Sequence, residues 1–228
     1  MKAQWHLMES DFFEDLPAAK EEFLALAVRR RFHRGECVFA IGDPGDHCYY
    51  LVGGSVKITR PTVAGKEPIF WIRRPGELFG IAEVINRNER FCSAHALGHC
   101  SAYQLHARDF EELLARHPAV ARKVISVMGR RIRYLCGQIE SITVSDVNSR
   151  LINLLICLSY GQLVSAAEPD QPVKFKLDLT QAEIAAMMGS CQQTISENLR
   201  KLEQQGVIKV SGKEITILHP SEILERTY

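Results

Sequence analysis

A regular apolar stripe in the segment that begins at Pro118 constrains this sequence more than any other feature. Its members are spaced alternately three and four residues apart, which places them along one side of a long helix. The stripe consists of Ile125, Met128, Ile132, Leu135, Ile139 and Ile142. So narrow a stripe fits a coiled-coil seam better than a broad core-facing surface. The sequence therefore predicts a parallel dimer seam, with a helix lying on its own chain as the alternative.

The segment before this helix is rich in residues that favour β-strands. Between Phe32 and Leu105, short runs rich in Val, Ile, Phe and Tyr are separated by glycine-containing turns. Such runs predict a β-barrel or sandwich. The stretches DLPAAKEEFLALA and HARDFEELLARHP on either side of it predict two short amphipathic helices.

Helix-capping signals mark the C-terminal part of the chain. Thr180 with Glu183 fits a capping box that starts the helix QAEIAAMM, and Gly189 ends that helix in a tight turn. Ser190 with Gln193 fits a second box before CQQTISENLRKLEQQ. Two short helices around a glycine turn predict a helix-turn-helix, and VIKVSGKEITIL predicts a β-hairpin wing behind it.

The second of these helices combines an apolar inner face with a polar outer face that could reach base edges. The inner face holds Ile195, Leu199 and Leu202. The candidate DNA contacts are Gln192, Gln193, Ser196, Glu197 and Arg200 on the helix, Thr180 on the preceding one, and Lys213 near the tip of the wing. Glutamine can pair with adenine N6 and N7, and glutamate can accept a hydrogen bond from cytosine N4.

A polar stretch separates the long helix from this C-terminal part. TVSDVNS at 143–149 interrupts the apolar pattern, and Asp146 is placed to cap the helix that begins near Val147. We expect three regions: an effector domain at 1–116, a dimerisation helix and hinge at 117–145, and a winged helix-turn-helix domain at 146–228.

Several phrases of the chain, in one order over roughly residues 12–220, resemble the CRP/FNR superfamily of bacterial transcription regulators. They are GDPGDHCYYLVGGSVKI, PGELFG, SDVNSRLINLL, and LTQAEIAAMMGSCQQTISENLRKLEQQGVI followed by GKEITI. The resemblance implies an α+β fold with a cupin-like antiparallel β-barrel of jelly-roll form, a long dimerisation helix and a winged helix-turn-helix. It implies a homodimer on a palindromic site in double-stranded DNA, gated by a small-molecule effector, with RNA polymerase as a further partner. Activator or repressor action stays open.

The effector segment departs from the pattern of the cyclic AMP-binding members of that superfamily. Those members place a glutamate directly after a glycine and a serine directly after an arginine, where this chain has Gly80-Ile81 and Arg90-Phe91. Because a ribose hydroxyl loses its carboxylate partner, cyclic AMP is disfavoured. The candidate effector contacts are Gly80, Ile81, Glu83, Arg90, Ser93, Met128 and Ile132. Arg90 matches the arginine of the cyclic AMP-binding members when the position is counted back from Cys100, but not when the segment is aligned on Ser93-Ala94.

The DNA-contacting segment also departs from the superfamily, at Glu197, where members usually carry arginine. We therefore expect a half-site that differs from the usual one. Residues 174–228 hold seven basic and seven acidic side chains, so DNA affinity should be modest and should depend on dimerisation.

The cysteines and histidines point to no specific cofactor. Haem stays an open alternative, but no pattern in the sequence selects one histidine or cysteine as its ligand. Seven scattered cysteines suggest neither disulfides nor a zinc knuckle, and no cysteine precedes Cys37 to hold an iron–sulfur cluster of the FNR type. Cys92, His95, His99 and Cys100 crowd one segment, but strand alternation turns Cys92 and His95 to opposite faces. His6, His33 and His47 are further haem-ligand candidates. Metal ligation is not expected.

Composition fits a globular, cytoplasmic protein with no membrane span, since 46% of the residues are hydrophobic, 24% are charged and the net charge is +1. Two alternatives to a DNA-binding regulator remain. One is a cupin-type metal enzyme, which the spacing of His95 and His99 disfavours. The other is a ligand-binding dimer whose winged helix no longer reads DNA.

Overall fold

A computed structural model describes residues 11–63, 65–165 and 170–225 of the 228-residue chain. The chain divides into two compact units, one ending at Arg130 and the other beginning at Arg131. This division lies inside the long helix α4 (Pro118–Val144). The sequence places its domain borders at the two ends of that helix.

The first unit is built on two four-stranded sheets in which every pairing is antiparallel. One sheet has the order β1-β8-β3-β6 and the other β2-β7-β4-β5. The strands are β1 (Val28–Phe32), β2 (Cys37–Phe39), β3 (His47–Gly53), β4 (Val56–Thr59), β5 (Ile69–Arg73), β6 (Leu78–Phe79), β7 (Ser93–Ala96) and β8 (Cys100–His106). The predicted antiparallel barrel is confirmed.

Aromatic side chains fill the space between these two sheets. The rings of Tyr49 and Phe79 stack with their centroids 5.3 Å apart, and Phe39 lies 5.7 Å from Tyr49. Leu51 and Val56 are fully buried in the same cluster. Strand alternation directs these side chains inward, so the sheets are held together largely by apolar burial.

Helices cover the outside of the barrel: α1 (Pro17–Leu26), α2 (Ile81–Asn86), α3 (Ala107–Arg116) and the first half of α4. A second apolar cluster with Phe23, Phe110 and Val124 joins them to the strands. The sequence predicts α1, α3 and α4. It does not predict α2, which has only six residues and too short an apolar pattern to be recognised.

Helix α4 presents two different apolar faces. Val120, Val124 and Val127 are buried in the first unit. Five members of the predicted stripe are exposed: Ile125 at 71%, Ile132 at 61%, Leu135 at 42%, Ile139 at 66% and Ile142 at 61%. The sixth, Met128, differs because it packs against the apolar cluster of the first unit.

The second unit is a winged helix-turn-helix. Its elements after α4 are α5 (Val147–Ser165), β9 (Val173–Lys176), α6 (Gln181–Met188), α7 (Gln192–Gln204), β10 (Ile208–Ser211), β11 (Glu214–Ile217) and α8 (Pro220–Glu225). One core joins them, including Leu151, Ile184 and Ile215. The wing is a three-stranded sheet of order β10-β11-β9, not the bare hairpin of the sequence analysis, and α8 is unpredicted.

Local hydrogen bonds confirm one predicted capping box and overturn the other. The hydroxyl of Thr180 accepts from the amide of Glu183, whose carboxylate accepts from the amide of Thr180. Ser190 does not cap α7. Its amide donates to the Ala185 oxygen in the turn after α6, and Cys191 is the N-cap residue of α7. The turn requires Gly189, which has a left-handed φ of +62°.

Asp146 caps α5 as predicted, since its Oδ1 lies 2.8 Å from the amide nitrogen of Ser149. Only Ser145 and Asp146 separate α4 from α5. Within residues 11–63, 65–165 and 170–225, no helix is long and apolar enough to cross a bilayer.

Candidate functional site

Helix α7 exposes one polar face while its other face is packed into the core of the second unit. Ile195, Leu199 and Leu202 are each no more than 5% exposed. The outer face carries Gln192, Gln193, Glu197 and Arg200, which are exposed, and Ser196, which is half-buried. The predicted set therefore lies on one side of one rigid helix, where it can meet a flat partner or a groove.

Two of these side chains are bonded to each other. Nε2 of Gln193 donates to Oε1 of Glu197 at 3.0 Å. The two residues lie one helical turn apart, at i and i+4, where side chains are neighbours. The sequence analysis assigns both to base contacts but does not anticipate this bond.

The other two candidates lie apart from α7. The hydroxyl of Thr180 donates to the Glu183 carboxylate at 2.9 Å and also serves as the cap of α6, so its polar atoms are already engaged. Lys213 is exposed in the β10–β11 turn, and its backbone oxygen accepts from the amide of Leu177 at 2.7 Å. That bond fixes the wing tip to the segment that precedes α6.

A thiol also lies at the start of α7. Cys191 is exposed, and its Sγ lies 3.1 Å from the hydroxyl oxygen of Thr194. The Thr194 hydroxyl, followed by the Thr194 amide, lowers the pKa of the Cys191 thiol below its usual value.

Several cations of this unit are neutralised within it. Lys174 pairs with Glu214 at 2.6 Å and Lys176 with Asp178 at 3.0 Å. Among the described residues of α7 and the wing, no ion pair engages Arg200, Lys201, Lys209 or Lys213. These four side chains are available to an anionic partner.

In the barrel, Arg90 is the most buried charged side chain among the predicted effector contacts, at 2% exposure. Its Nη1 donates to the Gly80 oxygen at 2.9 Å and contacts the Glu83 carboxylate at 3.2 Å, and its Nη2 donates to the His47 oxygen. The guanidinium lies over the Phe39 ring, 4.3 Å from the centroid. Gly80 adopts a φ of +72°, and a Cβ there would come within 3.1 Å of Arg90.

An open pocket of about 440 Å³ lies beside this cluster. Glu83 and Arg90 line it, together with Arg60 and Phe91. The Arg60 guanidinium stacks on the Phe91 ring, 3.8 Å from the centroid, while Nε of Arg90 is buried without a hydrogen-bond partner. The sequence analysis missed Arg60 and Phe91, and no local pattern in one sequence brings these two residues together.

The remaining effector candidates do not join this cluster. Ile81 is 1% exposed and packs in the outer apolar cluster. Ser93 accepts from the Ile41 amide at 2.9 Å, and strand alternation turns it away from the interior side of Ala94. Met128 packs on the outer cluster, and Ile132 lies in the second unit. The structure thus brings together only Gly80, Glu83 and Arg90.

The crowded cysteine and histidine segment is dispersed by the fold. Cys100 is buried and Cys92 half-buried, while His99 lies at the surface with its ring 5.1 Å from that of His33. In the described part of the chain, no group of three or more His, Cys, Asp or Glu side chains is arranged to hold a metal. His6 lies outside the described residues.

Two domain families match the chain. Residues 29–117 match the cyclic nucleotide-binding domain, and residues 149–226 match the Crp-like helix-turn-helix domain. Together these matches cover more than half of the chain.

Similar proteins are known by function and by structure. The CRP-like cAMP-activated global transcriptional regulator of Mycobacterium tuberculosis is 28% identical over 197 residues, 86% of each chain. The global nitrogen regulator of Synechocystis sp. is 28% identical over 197 residues, 85% of each chain. The structure of FixK2 from Bradyrhizobium japonicum superposes with a TM-score of 0.76 over 89% of this chain and 98% of its own, at 18% identity. With this fold, these two domains and these relatives, the chain belongs to the CRP/FNR family of transcription regulators.

Proposed function

We propose that this regulator is a homodimer that binds a palindromic DNA site through α7 and is gated by a small molecule held in its N-terminal domain. The outer face of α7 carries the proposal, because it presents amide, carboxylate and guanidinium groups on a rigid scaffold. In a dimer, two such helices would enter successive major grooves about 34 Å apart. RNA polymerase enters as a further partner on the family resemblance alone.

Selection of bound duplexes from a random pool tests DNA reading. The wild type should enrich a palindrome, and Glu197→Arg should change the preferred base at one position of each half-site, because arginine donates to guanine where glutamate accepts from cytosine. If the wild type enriches no sequence, with or without deproteinised cell extract to supply an effector, the chain is no DNA reader. Stronger enrichment with the extract would support gating.

The exposed stripe on α4 supports the homodimer. Ile132, Leu135, Ile139 and Ile142 expose apolar surface at coiled-coil spacing on a helix of 27 residues. An isolated chain would leave these side chains in water, and a second copy can cover them with the same surface.

Ile139→Asp tests the dimer directly. We expect sedimentation equilibrium to show at least a tenfold weaker association, because an aspartate in a seam buries an unpaired charge. Ser141→Asp is the matched control, since a position two residues along the helix faces away from Ile139. An equal loss of association in both variants would contradict the seam.

The Gly80, Glu83 and Arg90 cluster with its adjoining pocket supports an effector site that differs from a cyclic AMP site. Arg90 is already engaged by Glu83 and two backbone oxygens, and Ile81 stands where a ribose-binding carboxylate would be needed. Isothermal titration with cyclic AMP should therefore show no binding at micromolar concentrations. Tight binding of cyclic AMP would overturn this part of the proposal.

A further inference from the structure

The bond between Gln193 and Glu197 fixes which way the Gln193 amide points. A carboxylate can only accept hydrogen bonds, so the amide nitrogen must face Glu197, as it does at 3.0 Å. An amide carries two N–H donors and one carbonyl acceptor. With one N–H engaged by Glu197, Gln193 retains one N–H and its carbonyl for a base.

These remaining groups match one base edge better than any other. Adenine offers an N6 donor and an N7 acceptor in the major groove, which require one acceptor and one donor. Guanine offers O6 and N7, both acceptors, and requires two donors. Gln193 could supply two donors only by releasing Glu197.

Glu197 is constrained in the same way. With Oε1 accepting from Gln193, Oε2 is left as a second acceptor. Cytosine presents the N4 donor and no acceptor of its own, whereas adenine has the N7 acceptor beside its N6 donor and guanine and thymine present acceptors, which a carboxylate repels. Both side chains are exposed on the outer face of α7, so nothing in the described part of the second unit has to move aside before they meet a base.

From this geometry we propose that Gln193 and Glu197 read DNA as one coupled unit, in which Glu197 selects cytosine and also orients Gln193 to select adenine. The proposal rests on the proposed DNA-binding function. It adds that a half-site carries an adenine and a cytosine within one or two base pairs, and that the adenine preference depends on Glu197.

Selections with wild type, Gln193→Ala and Glu197→Ala test the coupling. The position that Gln193→Ala relaxes identifies the Gln193 base, which we expect to be adenine. Glu197→Ala should relax that same position as well as its own cytosine. In anisotropy titrations, changing the adenine to guanine should weaken wild-type binding about tenfold or more and weaken Glu197→Ala binding less than about threefold.

Two further variants separate orientation from charge. Glu197→Asp keeps the charge but shortens the side chain by one methylene, so we expect it to lose the adenine preference as Glu197→Ala does. Gln204→Ala, which removes an exposed amide at the far end of the same helix and outside the predicted contacts, should leave both positions unchanged.

The outcomes distinguish the two proposals. If the wild type enriches no sequence, DNA reading itself fails. If it enriches a palindrome but Glu197→Ala relaxes only its own position, or guanine occupies the Gln193 position, the coupled pair is overturned while DNA reading stands.

Discussion

Arg90 and Arg87 make the same kind of ion pair in two different environments. The Arg90 side chain is 1% exposed where it meets Glu83, whereas the Arg87 side chain is 79% exposed where it meets Glu111. A buried charge that loses its partner keeps its full desolvation cost, while an exposed charge is solvated by water. The two arginines should therefore differ greatly in their effect on stability.

Truncation of each arginine tests this difference. We expect Arg90→Met to lower the free energy of unfolding by about 3–5 kcal/mol, because it leaves the Glu83 carboxylate and two backbone oxygens without their hydrogen-bond donor. Arg87→Met should change it by about 0.5 kcal/mol or less. Urea denaturation followed by circular dichroism measures both, and similar losses would show that burial does not set the contribution of Arg90.

Asp146 couples the start of α5 to pH. The Ser149 amide, 2.8 Å from Oδ1, is the main cause that lowers the pKa of the Asp146 carboxyl below its ordinary value of 3.8. A carboxyl with a lowered pKa in the folded state contributes stability above its unfolded pKa. That contribution disappears as the pH falls through the folded pKa.

Asp146→Asn isolates this contribution, because asparagine caps a helix about as well but does not titrate. The difference in urea midpoint between wild type and Asp146→Asn should be constant above about pH 5. Below about pH 4 the wild type should lose stability relative to Asp146→Asn. A difference that does not depend on pH would mean that the Asp146 bond to Ser149 does not form in solution.

At the scale of elements, the two helices of the helix-turn-helix begin in different ways. Helix α6 has a complete capping box in which Thr180 and Glu183 bond each other's amides. Helix α7 has no capping box, and the Sγ of its N-cap residue Cys191 lies 3.1 Å from the Thr194 hydroxyl. The same sequence signal, a serine or threonine three residues before a glutamate or glutamine, thus acts at only one of the two positions.

Alanine at each position measures this difference. Thr180→Ala should destabilise the chain by about 1 kcal/mol, since it leaves the Glu183 amide without its cap. Ser190→Ala should stay within about 0.5 kcal/mol of wild type, since its side chain makes no cap. Thermal unfolding of both variants is the measurement, and a larger loss from Ser190→Ala would reverse the assignment.

At the scale of the whole molecule, the net charge of +1 means that DNA affinity must come from local cations. If two chains bind one site as proposed, Arg200, Lys201, Lys209 and Lys213 give about eight phosphate contacts at most. A plot of log binding constant against log salt should therefore have a slope no steeper than about −7.

Lys213→Ala should reduce the magnitude of that slope by about 2, because each protomer loses one contact. Lys174→Ala is the matched control, since Lys174 is already paired with Glu214. A wild-type slope much steeper than −7 would show that cations outside these four reach the phosphates.

Structural features that depend on a short stretch of sequence could be predicted, and features without such a local pattern could not. Helices α1, α3, α4, α5, α6 and α7 were predictable because their apolar patterns and capping residues lie within short stretches of sequence. Helices α2 and α8 have only six residues each, and α8 begins with a proline, so neither is long enough to show an apolar period. The polar outer face of α7 was predictable for the same reason as its core face, since both follow from one period.

The sequence by itself determined most of the helices, the β-rich character of residues 32–105, the apolar stripe on α4 and the polar face of α7. These follow from side-chain periodicity and turn residues, which act over short distances. Only the tertiary structure decided the contacts of Arg90 with Gly80, Glu83 and His47. The same holds for the stacking of Arg60 on Phe91 and for the packing of Met128 against the outer apolar cluster of the first unit. Such contacts depend on how distant strands and helices pack, and packing is set by the shape of the whole core and not by any local pattern.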